Sequence, residues 1–104
     1  MKQYYVYLTT NLVNNMKYIG MHYGELDDAY LGSGKLLNLA IKKYGRGNFK
    51  KEIIKIANSA KENAQNEKEI IKEYNAIADR NFYNIHEGGF GGDTWSGQPE
   101  YIKE

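Results

Sequence analysis

Six side chains in this sequence could be combined for acid–base or metal-assisted chemistry: Tyr7, Tyr18, His22, Lys35, Glu67 and Asn84. Phosphodiester hydrolysis is a reaction that would use them together. It needs a base for the attacking water, charge stabilisation at phosphorus and help for the leaving oxygen. One inward-facing carboxylate can hold a single Mg²⁺ or Mn²⁺, with water and phosphate oxygens as the remaining ligands. A tyrosine accepts a proton only beside such an ion or a lysine, because its unperturbed pKa lies near ~10. His22 is a second proton carrier, with an intrinsic pKa near neutrality. Lys35 and Arg46 are candidate phosphate ligands.

Each residue also has a plainer explanation. Two tyrosines across a hairpin commonly pack, a histidine in a loop commonly supports a neighbour, and Asn84 could tie down a turn. Glu67 is harder to dismiss. It falls on the apolar stripe of a predicted helix, with Ala60, Ala64, Ile71, Tyr74 and Ala78, while Glu69, Lys72 and Glu73 point outward. An inward carboxylate is costly unless paired, protonated or bound to a cation.

These residues need elements to carry them. The run YYVYLT, residues 4–9, is rich in aromatic and β-branched types and predicts a strand. TNLVNN, residues 10–15, predicts a turn, and KYIGM, residues 17–21, a second strand pairing back as a hairpin. Alternation puts Tyr5, Tyr7 and Thr9 on one face and Tyr4, Val6 and Leu8 on the other. The second set is the expected core face, leaving Tyr5 and Tyr7 toward a functional or partner-covered side. His22 is expected just past the second strand.

A glycine-punctuated stretch follows, then a helix from Ser33 or Gly34 to about Tyr44, with Leu36, Leu37, Ala40, Ile41 and Tyr44 as its stripe. Gly45 and Gly47 end it. FKKEIIKI, residues 49–56, predicts a third strand. Asn58 or Ser59 caps the helix that bears Glu67, which is expected to reach about Ile77. Residues 82–85 are expected as a short strand or a segment packed beneath the sheet. The expected fold class is α/β, a small, mainly antiparallel three-stranded sheet flanked by helices.

Composition narrows the classes. A chain of 104 residues suits one domain. No cysteine is present, so disulfides and thiolate metal sites are excluded. No signal peptide or bilayer-length apolar run is evident, which leads to expecting a cytoplasmic protein without a membrane partner. Net charge is only +1, yet residues 35–61 hold eight basic residues and one acidic one, Glu52, while residues 62–104 hold nine acidic and four basic. The basic middle could attract a polyanion through Lys35, Lys42, Lys43, Arg46, Lys50 and Lys51, or serve only as a solvated face. GSGK, residues 32–35, is too short for a nucleotide phosphate loop, so no nucleotide cofactor is expected. His22 and His86 are too few for a zinc site. Nothing sets an oligomeric state.

Taken together, the residues resemble the GIY-YIG nuclease domain. YVY, residues 5–7, stands for its first signature, with Tyr5 where the family usually has glycine. YIG, residues 18–20, is the second, and ten residues separate them. Glu67, within NEKEIIKEYN, sits where that family places a metal-binding glutamate. Asn84, within FYNIHEGG, matches the asparagine that closes the domain. YLGSGKLLNLAIKKYGRGNF is similar to the second helical region of phage free-standing homing endonucleases. The resemblance covers roughly residues 3–92 and implies a nuclease domain over 1–92. Residues 93–104 would be a linker or the start of a truncated DNA-binding region.

That resemblance implies a Mg²⁺- or Mn²⁺-dependent endonuclease acting on double-stranded DNA by a one-metal mechanism. Glu67 would hold the metal, Tyr7 or Tyr18 would help activate water, and the ends would be 5′-phosphate and 3′-hydroxyl. One departure is plain. Many members carry a catalytic arginine on the helix after YIG, whereas residues 24–30 read GELDDAY. His22 and Lys35 are the candidate replacements. A noncatalytic DNA-binding module, or a protein-interaction module, are the alternatives; neither needs an inward Glu67.

Overall fold

The structure is a computed structural model that describes residues 1–85. The expected boundary at residue 92, the expected linker over 93–104 and His86 lie outside the described residues. Three strands, β1 (Gln3–Asn11), β2 (Lys17–Gly24) and β3 (Phe49–Ala57), form one antiparallel sheet in the order β2-β1-β3. Helices α1 (Lys35–Tyr44) and α2 (Ala60–Glu73) flank it, and a single 3₁₀ turn, Arg46–Asn48, leads into β3. This is the α/β architecture expected from the sequence.

Asparagines build the β1–β2 turn. Asn11 Oδ1 accepts from the Val13 N–H at 2.9 Å, and Asn14 Oδ1 accepts from the Met16 N–H at 3.0 Å. Asn15 adopts φ 64°, a left-handed conformation that asparagine tolerates better than most residues. Beyond the turn, β2 runs three residues further than expected. His22 therefore lies within the strand, opposite Tyr5, rather than after it.

The expected core face of β1 does pack inward, but the opposite face is buried as well. Tyr5, Val6, Tyr7 and Thr9 are all at most 1% exposed, whereas Tyr4 and Leu8 are half-buried. β1 is the central strand and is covered on both sides. One side packs Val6 and Ile19 against Ile70, Ile71 and Ala76. On the other, Thr9 Oγ1 donates to the Leu31 carbonyl at 2.7 Å, within a loop over residues 25–34. Leu31, Leu37, Ala40, Ile41, Phe49 and Tyr83 form a second cluster, which Tyr18 joins. Period-two reasoning identifies the faces but not how many layers cover them.

Helix α1 buries Leu37, Ala40 and Ile41, while Leu36, expected on the stripe, is exposed. Lys42 and Lys43 in its last turn complement the helix dipole. Helix α2 opens on a capping arrangement. Ser59 Oγ accepts from the Glu62 N–H at 3.1 Å, and Glu62 Oε1 accepts from the Asn58 N–H at 3.0 Å. It ends earlier than expected. Asn75 takes φ 53°, and the Asn75 and Ala76 N–H groups return to the Lys72 and Ile71 carbonyls at 3.1 and 3.0 Å. This closed terminus leaves Tyr74 and Ala78, both expected on the helical stripe, exposed beyond the helix. Residues 81–83 then run along the outer edge of β2, with Lys17 and Phe82 forming one parallel bridge.

Candidate active site

The β1–β2 register places Tyr7 opposite Gly20. A Cβ at Gly20 would overlap the Tyr7 hydroxyl and stand 2.9 Å from the Tyr18 ring. At Gly34 it would come within 2.6 Å of that same ring, and at Gly32 within 3.0 Å of the Tyr7 hydroxyl. Gly32 also has φ 140°, which disfavours any side chain. The glycines of YIG and GSG thus form the space in which both phenols lie. Their ring centroids are 6.3 Å apart.

This space opens into a cavity of about 500 Å³ lined by Tyr7, Tyr18, Lys35, Glu67 and Asn84 on its polar side. Met21, Ile71, Tyr83 and Ile85 supply much of the remainder. Each polar residue arrives on a different element: Tyr7 on β1, Tyr18 on β2, Lys35 at the start of α1, Glu67 on α2 and Asn84 on the segment beside β2. Glu67 is only 7% exposed. One turn earlier on its helix, Asn63 Nδ2 donates to the Tyr5 and His22 carbonyls at 3.2 and 3.4 Å, fixing α2 across β1 and β2.

Asn84 is buried and doubly engaged. Its Oδ1 accepts from the Ile19 N–H at 2.9 Å and its Nδ2 donates to the Ile19 carbonyl at 2.8 Å. The side-chain amide completes the hydrogen-bonding edge of β2 next to Gly20, as a neighbouring strand would. Its role in the cavity is to hold the backbone between Tyr18 and Gly20.

Tyr7 is strongly held in its protonated form. Burial is the largest cause, followed by the neighbouring Tyr18, Tyr30 and Glu67, whose negative charges would oppose a phenolate, and by a hydrogen-bonding contact with Tyr30. A phenol in this position becomes a base only when positive charge enters the cavity.

His22 does not line the cavity. It belongs to an adjoining group with Tyr5, Asp28, Tyr30 and Lys51. Its ring stacks on Tyr30 with centroids 3.7 Å apart and planes 10° from parallel, and its Nε2 lies 3.5 Å from Asp28 Oδ2. Burial lowers its pKa against the opposing pull of Asp28, which favours neutral imidazole. Lys51 Nζ donates to Asp28 Oδ1 at 2.6 Å and to the Tyr5 hydroxyl at 2.8 Å.

Among the expected DNA-contacting residues, Lys35, Lys42, Lys43, Arg46 and Lys50 are exposed. Lys51 is not: its side chain is 8% exposed, because it pairs with Thr9 across β1–β3 and shares that strand's buried face. Lys50 approaches Glu52 at 3.6 Å, and an Arg46 guanidinium nitrogen donates to the Ala29 carbonyl. Tyr30 and Asp28 were absent from the expected set. Their signal was the aromatic and acidic content of DDAY, which no periodic pattern marks.

A divalent cation fits this chemistry through the Glu67 carboxylate, buried yet lining a cavity with two phenols. No group of three or more His, Asp or Glu side chains that could enclose a metal occurs among the described residues. Any cation here would therefore take most of its ligands from water and substrate oxygens. No helix among the described residues is long and apolar enough to cross a membrane.

No protein-family model matches the chain, and no solved structure gives a significant match. Curated relatives do. The chain is 48% identical over 90 residues to the Enterobacteria phage T4 protein named "Putative endonuclease segE", covering 86% of this chain and 43% of that protein. It is 46% identical over 90 residues to T4 "Putative endonuclease segB", covering 86% of this chain and 40% of that protein. It is 41% identical over 92 residues to T4 "Endonuclease segA", covering 88% of this chain and 41% of that protein. The chain therefore spans less than half the length of the curated relatives it matches, and over that span its homologues are the phage T4 seg endonucleases.

Proposed function

We propose that the chain is a divalent-metal-dependent DNA endonuclease domain of the GIY-YIG type. The observation that carries this reading is the meeting of Tyr7, Tyr18, Lys35 and buried Glu67 from four separate elements around one cavity. Neither a DNA-binding module nor a protein-interaction module requires that meeting. Similarity to named endonucleases supports the same class of reaction.

In the proposed reaction, water attacks phosphorus and the bond to the 3′ oxygen breaks. That oxygen leaves with the electron pair and takes up a proton, giving a 3′-hydroxyl and a 5′-phosphate. Tyr7 or Tyr18 accepts the proton of the attacking water, and the other orients the phosphate. Mg²⁺ or Mn²⁺ held by Glu67 would supply positive charge to the phosphate and lower the cost of a phenolate. Lys35, at the rim, is the cation this chain itself offers where the resemblance leads to an arginine. Exposed Lys42, Lys43, Arg46 and Lys50 extend a basic surface for the double-stranded DNA backbone.

Incubation of supercoiled plasmid with the purified chain and Mg²⁺ or Mn²⁺, beside Glu67→Ala and EDTA controls, tests this. Nicked or linear product from the parent alone is the expected result. Retention of plasmid without cleavage at low salt would instead favour a DNA-binding module.

A further inference from the structure

Tyr30 stands between the cavity and the group around His22. Its ring meets Tyr7 edge-on, with centroids 5.9 Å apart and planes at 88°. Its other contact is the parallel stack on His22 at 3.7 Å. The backbone is fixed as well, since the Tyr30 N–H donates to Asp28 Oδ1 at 3.2 Å. That same oxygen accepts from buried Lys51 at 2.6 Å. A half-buried tyrosine in a loop between glycines is thereby held at three points, and what it touches is a residue proposed for catalysis.

We infer that Tyr30 is a positioning residue for Tyr7, its ring bracing the Tyr7 ring edge-on while its own face is held by His22. The assignment gives His22 a role that fits its position: it acts through Tyr30 rather than in the cavity. It also accounts for the Asp28–Lys51 pair, which keeps the Tyr30 loop against the sheet. The effect on rate rests on the nuclease reading; the contact between the two tyrosines does not.

The contact is one between rings, edge-on to Tyr7 and stacked on His22. The other groups facing Tyr7 are Tyr5 on its own strand, Tyr18 on β2 and Glu67 on α2, with Lys35 of α1 on the same cavity. All of these remain in Tyr30→Leu, which removes the ring and its stack, and in Tyr30→Phe, which keeps both.

Two readouts test the assignment. In protein carrying ¹³Cζ-tyrosine, Tyr30→Leu is expected to shift the Tyr7 resonance while those of Tyr44 and Tyr74 stay in place. An unmoved Tyr7 resonance overturns the contact, whether or not the chain cleaves DNA. In plasmid cleavage, Tyr30→Leu is expected to lower kcat about tenfold with KM for DNA within about twofold, and Tyr30→Phe to keep kcat near that of the parent. Unchanged kcat in Tyr30→Leu, or a rise in KM alone, overturns the positioning role. A parent without cleavage would sink the nuclease reading and leave the resonance shift to decide the tyrosine contact.

Discussion

Tyr7 and Gly20 are cross-strand partners, and the phenol of the first fills the space a side chain on the second would need. The pairing explains why a tyrosine 1% exposed can still line a cavity. Its ring lies across the neighbouring strand instead of standing upright between layers. Gly20→Ala must therefore push the phenol aside, and the Tyr18 ring beside it leaves little room. The expected outcome is a plasmid-nicking rate lower by about 100-fold, since displacements near 1 Å cost that much when reacting groups must be aligned. Overpacking should also lower stability by about 1–3 kcal/mol in urea unfolding. Retained cleavage with full stability would show that the phenol need not lie where the glycine admits it.

Asn84 works on the same strand from its outer edge. Both hydrogen bonds of its amide go to Ile19, the residue between Tyr18 and Gly20. Asn84→Ala leaves that backbone edge without partners in a buried setting. A loss of about 1–3 kcal/mol of stability is expected, with faster hydrogen exchange at the Ile19 amide. Exchange at Ile19 that is unaltered relative to the parent would mean another group restrains the edge.

The contrast between these two residues shows what the sequence could and could not disclose. The glycine of YIG was legible as a signature residue, while the close approach of the Tyr7 phenol to it appears only in the β1–β2 register. The inward position of Glu67 followed from helical periodicity, and the structure agrees. The Val6 and Leu8 face of β1 does pack on a core, as hydrophobicity ranks it, but the Tyr5 and Tyr7 face is buried as well. That ranking could not foresee a loop and a helix closing over the tyrosines. The cluster of Asp28, Tyr30, His22 and Lys51 joins residues from a loop and two strands, with Lys51 in a run whose other lysine, Lys50, is exposed. No local pattern separates one lysine from the other; only the β1–β3 register does.

Lys51 and Asp28 should reveal themselves through pH. Burial alone would raise Asp28, but hydrogen bonds from Lys51 and the Tyr30 N–H, with the Lys51 charge, hold it below its ordinary value. Burial alone would lower Lys51, but the bonds to Asp28 and Tyr5 hold it above. The depressed carboxylate contributes stability above its unfolded pKa of about 4, lost as pH falls through the folded value. The raised ammonium contributes below about 10.5 and loses this as pH rises through its folded value. Lys51→Met should therefore destabilise the chain at pH 7 by about 1–3 kcal/mol, allowing for the partial exposure of Asp28. The deficit relative to the parent should shrink below pH 4. A deficit constant from pH 3 to pH 7 would assign it to lost packing rather than to the ion pair.

The exposed lysines call for the opposite test, because their charge faces solvent rather than a buried partner. Lys42 and Lys43 end α1, and each contact to a DNA phosphate releases about one condensed counterion. Replacing both with glutamine should lower the slope of log K against log salt by about 2 if both touch the backbone, with stability changed by less than about 0.5 kcal/mol. Lys51→Met should leave that slope intact in protein kept folded, since its ammonium is bound to Asp28 and Tyr5. Filter binding of a short duplex over a salt series, with the three proteins compared at one temperature, reads both effects. A slope that falls for Lys51→Met and not for the Lys42, Lys43 pair would move the DNA surface from the end of α1 to the loop that carries Asp28.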